Sequence, residues 1–378
     1  DLDQREPALV ALVQPGQRGE RLAVARRGVA EQVVPQLDRE SDLIDIYREL
    51  APEVLDAELQ RRLLLDIADL ARGVRNDIPL ARQYYQRVLE GTPGERRATL
   101  ALESIYRIGT EGQSDSAALY EMLLVKAELP WCPADDRVAA MAEAGALAET
   151  PLGRDADAAQ AWEQVLEAEP NRRDAGDALE RLYRRMGRSN DLVELYERRL
   201  GFADSVAEAV ALRVAMAEVQ LRDLRDPPGA LESYGAALGG DPAQPVALAA
   251  VELMLDDASV RGDAADVLEP IYIARQAWPQ LVRVYEVKLE AANDPDERLR
   301  LTRFLARLHE EQLEDLERAS HWYARLFREH PEDGTVREQL GRLANIVENW
   351  GFVATTYQAF LDEEPGLGPD SDDGPGAV

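Results

Sequence analysis

Four stretches of the chain repeat one spacing of apolar positions. Residues 81 to 93 (ARQYYQRVLEGTP), 158 to 170 (AAQAWEQVLEAEP), 230 to 242 (ALESYGAALGGDP) and 319 to 331 (ASHWYARLFREHP) each begin with Ala. An aromatic follows four residues on (Tyr85, Trp162, Tyr234, Tyr323), a bulky apolar residue at the eighth step (Leu89, Leu166, Leu238, Phe327), and Pro at the twelfth. On an α-helix these steps share one face. The pattern therefore predicts a helix whose Ala lets a neighbour approach while the aromatic and Leu or Phe fill the seam. The Pro ends it, because its ring fixes φ and removes a backbone donor. Tyr323 and Phe327 are expected in the seam, with His321 and Trp322 off it.

A second series alternates with the first: LIDIY ending at Tyr47, SAALY at Tyr120, LVELY at Tyr196, LVRVY at Tyr285 and VATTY at Tyr357. The tyrosines lie 73, 76, 89 and 72 residues apart, so a unit of about 75 residues holding two helical hairpins recurs. The long interval contains about 17 extra residues between Pro242 and Tyr285. GDAADVLEPIYIARQ is expected to supply an extra helix there, near 261–275. Residues 1–36 fit the repeat poorly and are expected to form a helical cap or a degenerate first repeat. The repeat region is expected over 37–365. Residues 366–378 (GLGPDSDDGPGAV) read as a disordered acidic tail.

These residues resemble the tetratricopeptide-repeat family, whose signature runs W-x2-L-G-x2-Y, then A-x3-F, then P. The Ala81, Tyr85, Pro93 series matches its second half. Leu102 with Tyr106, Leu179 with Tyr183, and Leu340 with Gly341 match parts of the first. Every copy lacks the early Trp, and the segments before each Ala are one residue longer than the family pattern. The resemblance implies an all-α fold, an α-α superhelix or solenoid of antiparallel helical hairpins. It also implies a non-enzymatic scaffold that binds proteins or peptides.

The abundance of Ala, Leu, Arg and Glu agrees with helix, since these residues lose little rotamer freedom there. Acidic residues number 72 against 43 basic, a net charge of −29, which disfavours nucleic acid and anionic membranes as partners. Nearly all positive charge is Arg, which suggests a high-GC bacterial source. No run approaches the length of a membrane span. A cytoplasmic location is expected, with the periplasm left open because the chain begins at Asp1 rather than Met.

Reaction motifs are absent from the sequence. Cys132 has no second thiol and reads as inert. His309, His321 and His330 lack metal-ligand spacing, and HEEQL at 309 to 313 has Leu313 where a zinc-protease motif needs its second His. No metal or cofactor is expected. Two arginine stripes stand out: Arg181, Arg184 and Arg185, and Arg300, Arg303 and Arg307. The family resemblance places them on the concave groove, where guanidinium groups could hold acidic side chains or a C-terminal carboxylate of a partner. Pairing with local acids is the bland alternative, although Arg185 and Arg303 have no carboxylate three or four residues away. Two other readings are a structural subunit of a larger bacterial, envelope-associated assembly, and a helical enzyme with an unrecognised carboxylate site.

Overall fold

The computed structural model describes residues 36–109 and 115–363. The expected N-terminal cap over 1–36 and acidic tail over 366–378 lie outside these residues, apart from Gln36. Among the described residues there are eighteen α-helices and no strand. Two compact units divide the chain, residues 1–187 and 188–378.

The first unit holds α1 (Gln36–Leu50), α2 (Ala57–Gly73), α3 (Ile78–Gly91), α4 (Arg96–Ile108), α5 (Ser116–Glu128), α6 (Ala134–Glu149), α7 (Asp155–Ala168) and α8 (Arg173–Met186). The second holds α9 (Ser189–Leu200), α10 (Val206–Arg222), α11 (Pro227–Gly240), α12 (Pro245–Met254), α13 (Arg261–Arg275), α14 (Trp278–Ala291), α15 (Pro295–Arg307), α16 (Leu316–Glu329), α17 (Gly334–Val347) and α18 (Trp350–Glu363). Within each unit successive helices pack on one another through short turns.

The helices α3, α7, α11 and α16 carry the first sequence pattern. Ala81, Ala158, Ala230 and Ala319 are fully buried, and Tyr85, Trp162, Tyr234 and Tyr323 nearly so. Burying one such aromatic side chain contributes roughly 1.5–3 kcal/mol. All four helices end alike, with the backbone N–H of Thr92, Glu169, Asp241 and His330 donating to the carbonyl four residues back. The next residue is Pro93, Pro170, Pro242 or Pro331. The residue before a proline is pushed out of the helical region, and φ at the four caps runs from −128° to −141°.

The turns entering these helices explain the extra residue. Asn76, Gly153, Arg225 and Glu314 each adopt positive φ, five residues before the repeat Ala. That left-handed residue turns the chain out of α2, α6, α10 or the single π-helical turn Leu308–Gln312 that extends α15. In three copies the following Asp caps the new helix, Asp77 accepting from Leu80 N, Asp226 from Gly229 N and Asp315 from Arg318 N. Such a cap contributes about 1 kcal/mol.

Residues 261–275 are helical, as α13, and their register is informative. Ala264, Leu268 and Tyr272 align with Ala175, Leu179 and Tyr183 of α8, and Tyr285 follows Tyr272 at the distance at which Tyr196 follows Tyr183. The preceding helix α12 shares this register: Ala247 and Val251, with Leu255 just beyond its end, follow Pro242 at the spacing at which Ala175, Leu179 and Tyr183 follow Pro170, and all three are buried.

Candidate functional site

Hydrogen bonds between alternate helices define a face in each unit. In the first, Arg72 of α2 donates to Ser104 of α4 at 2.9 Å, and Glu149 of α6 accepts from Arg181 of α8 at 3.2 Å. In the second, Arg303 of α15 donates to Asp333 beside α17 at 2.8 Å, and Arg342 of α17 pairs with Glu310. Of the predicted arginines, Arg181, Arg185 and Arg303 make such cross-helix bonds.

The first stripe is neutralised internally. Arg185 grips Asp155 with two hydrogen bonds of 2.7 and 2.8 Å and reaches Glu149 at 3.2 Å. The Asp155 and Glu149 hydrogen bonds hold its pKa above the ordinary value. Arg181 shares Glu149, and Arg184 pairs with Glu180 at 3.0 Å. Arg185 and Arg303 lack a carboxylate on their own helical turn, but both find one on a neighbouring element. Sequence spacing exposes only pairs within a helix. These cross-helix partners sit 30 to 36 residues away, the span of one hairpin, which is the signal that locates them.

The second stripe is different. Arg300 and Arg307 are exposed and make no ion pair among the described residues. Being seven residues apart, they share one face of α15. Between them Phe304 is 37% exposed while its ring stacks on Tyr285, centroids 4.1 Å apart. The face therefore offers two cations around an apolar platform. It can bind carboxylates and an adjoining apolar group.

A cleft recurs at equivalent positions of two repeats. In the first unit Arg82, Gln86, Tyr106, Gly109 and Asp115 line about 270 Å³. Arg82 lies over the Tyr106 ring and reaches Asp115 at 3.4 Å, and Gln86 donates to the Tyr106 hydroxyl at 3.0 Å. In the second, Ser320, His321, Ala344, Val347 and Phe352 line about 120 Å³, with His321 edge-on to Phe352 at 4.6 Å. His321 thus meets Phe352 of α18 while remaining exposed, and Tyr323 and Phe327 are buried.

His309 is 1% exposed, and burial holds its pKa below the ordinary value against the raising effect of Asp315. Cys132 is buried. Among the described residues no group of three His, Cys, Asp or Glu side chains could hold a metal ion. No helix among them is long and apolar enough to cross a membrane.

A search of curated proteins gave no match. Among solved structures, a tetratricopeptide repeat protein from Parabacteroides merdae is 12% identical, over 75% of this chain and 98% of its own, with a TM-score of 0.25. The human IFIT1 dimer with PPP-AAAA is 13% identical over 80% of this chain and 73% of its own, with a TM-score of 0.26. A signal-transduction ATPase with a tetratricopeptide repeat sensor from Pyrococcus horikoshii is 13% identical over 88% and 56%, with a TM-score of 0.24. Residues 177–205, from α8 through α9, match the family model described as tetratricopeptide repeat, within a chain whose described residues form an all-α succession of packed helices.

Proposed function

We propose that the protein is a non-enzymatic interaction scaffold that binds acidic groups of partner proteins on the α15 face. The observation supporting this is Arg300 and Arg307, exposed and without an ion pair among the described residues, on either side of Phe304. In a chain of net charge −29, two such cations beside an aromatic ring favour a ligand with carboxylates next to an apolar residue. Arg303 and the arginines at 181, 184 and 185 belong to the same binding role in this reading. They engage a partner only by exchanging their internal carboxylates, so α15 makes the first contact.

The test compares wild type with an Arg300→Glu, Arg307→Glu variant in affinity capture from the source organism, followed by binding assays with the purified partner. Loss of the partner by the variant, with unchanged circular dichroism, supports the reading. Equal retention by both overturns it.

A second reading, a subunit built into a larger assembly, draws on α18. Leu361 is 38% exposed where Leu289, its equivalent in α14, is 2% exposed, and Trp350 is 53% exposed. Sedimentation of the purified chain separates the readings: a scaffold stays monomeric, whereas an assembly subunit self-associates or aggregates through α18.

A further inference from the structure

We infer that Glu297, Arg300, Phe304, Arg307 and Glu311 form the seam for one helix of a partner protein, which carries basic, acidic, apolar, acidic and basic residues at the same spacing. This seam specifies the partner of the function proposed above and rests on its two arginines.

From 297 to 311 these five residues are exposed, and every residue between them is buried or half-buried. Their steps are three, four, three and four, the spacing of the a and d positions in a coiled-coil heptad. A stripe this narrow has the width of a seam between two helices rather than of a broad solvated face. Glu311 lies in the π-helical turn that continues α15 and stays exposed there. Phe304 closes one face of its ring against Tyr285, so its exposed part is open to a side chain from outside.

The charges are symmetric about Phe304, with an arginine on each side and a glutamate beyond each arginine. Glu297 stands one turn from Arg300, and Glu311 one turn from Arg307, where ion pairs commonly form. None of the four makes an ion pair among the described residues. The helix α8 differs, because its exposed charges are already satisfied. Asp174 pairs with Arg172, Arg181 with Glu149, and Arg184 with Glu180.

The order of charges identifies the occupant. Carboxylates seven residues apart on the partner helix face Arg300 and Arg307, an apolar residue between them meets Phe304, and a Lys or Arg at each end meets Glu297 and Glu311. An extended segment fits less well. Its side chains on one face repeat every ~6.6 Å, against about 6.0 Å from Arg300 to Phe304 and about 4.5 Å from Phe304 to Arg307 along the helix. A second copy laid in register, in either direction, sets Glu against Glu and Arg against Arg. The segments outside the described residues do not hold the complement either: 1–35, 110–114 and 364–378 contain no two acidic residues seven positions apart, and 364–378 contains no basic residue.

The probe is a fluorescein-labelled peptide of about 18 residues, held helical by a lactam bridge on its outer side. It carries Lys, Glu, Phe, Glu and Lys at steps of three, four, three and four in a background of alanine and glutamine. A scrambled control keeps composition and net charge but loses the spacing. Anisotropy at near-physiological salt should show saturable binding of the probe by the full chain, and at least about tenfold weaker binding of the control. The Arg300→Glu, Arg307→Glu variant should bind the probe at least about tenfold more weakly. A Glu297→Lys, Glu311→Lys variant should lose the probe as well and gain affinity for a second peptide with Glu at all four charged positions, a reversal that misfolding cannot produce. Equal binding of probe and control by wild type, with both lost in the Arg300→Glu, Arg307→Glu variant, would overturn the seam and leave the arginines in their proposed role. Binding that this variant does not alter would overturn both. No saturable binding of the probe below about 1 mM would overturn the seam, and the capture experiment above then judges the arginines separately.

Discussion

The Tyr272 hydroxyl donates to Glu252 across the same twenty-residue separation that joins Tyr183 to Glu163, where the distance is 2.7 Å. The helix α12 therefore offers α13 the acceptor that α7 offers α8. A hydrogen bond to a charged acceptor contributes more than a neutral one. Tyr272→Phe should lower stability by about 1–2 kcal/mol, read as a drop in the urea midpoint of the full chain. An unchanged midpoint would mean that Glu252 is equally well satisfied by water.

Buried tyrosines also set the alkaline limit. Burial raises the pKa of Tyr85, Tyr234, Tyr272, Tyr285 and Tyr323, with hydrogen-bonded carboxylates adding to it at Tyr272 and Tyr285. The folded state holds these protons more tightly than the unfolded state. Their contribution is thus complete below the ordinary phenol value of about 10 and is lost as pH rises through the raised folded values. Tyrosinate absorbance at alkaline pH should appear together with loss of helical circular dichroism. Titration of most tyrosines in the intact fold near pH 10 would contradict this.

His309 works in the opposite direction. Its pKa is lowered, chiefly by burial, with Asp315 opposing and Arg318 adding to the shift, and its Nδ1 has no hydrogen-bond partner among the described residues. Protonation is therefore easier in the unfolded chain. Stability should be full above about pH 6.5 and decline as pH falls from there toward the folded value. His309→Leu should flatten the urea midpoint between pH 7.5 and about 5.5. A slope identical to wild type would assign the acid sensitivity to other groups.

How far the fold was legible can be argued from single positions. The Ala81, Tyr85 and Pro93 spacing marks helix, seam and stop together, because period and proline act locally. The left-handed turn at Asn76, Gly153, Arg225 and Glu314 left only an unexplained extra residue, since three of the four are not glycine. The segment at 261–275 reads as an insertion from its surroundings. Its repeat register, Ala264, Leu268 and Tyr272 at the spacing of Ala175, Leu179 and Tyr183, is in the sequence but hidden by the long interval around it. For the candidate site, the arginines could be named from spacing, but not which were free: Asp155 and Asp333 reach Arg185 and Arg303 only after the hairpins close.

The turn offers a direct test. Arg225 has φ 57° and Gly153, its counterpart, 65°. A side chain in this region costs roughly 1 kcal/mol that glycine avoids, partly offset by glycine's greater freedom in the unfolded state. Arg225→Gly should raise stability by about 0.5 kcal/mol, and Gly153→Ala should lower it by about 1. The two changes together give a sign test, because opposite shifts in midpoint are required.

Close helix approach gives the last prediction. A Cβ added at Gly145 of α6 would stand 2.8 to 3.0 Å from three atoms of the Trp162 indole on α7. Trp162 is 7% exposed and fills the seam of its repeat, so the ring has little room to retreat. Alanine is the better helix former by about 1 kcal/mol, and on propensity alone Gly145→Ala would stabilise α6. Overpacking a filled core typically costs 1–3 kcal/mol, and that term should win, leaving a net loss of up to about 2. Paired with Trp162→Phe, which shortens the ring system, the same alanine should cost less or become stabilising. If Gly145→Ala destabilises equally in both backgrounds, the contact with Trp162 is not what requires glycine there.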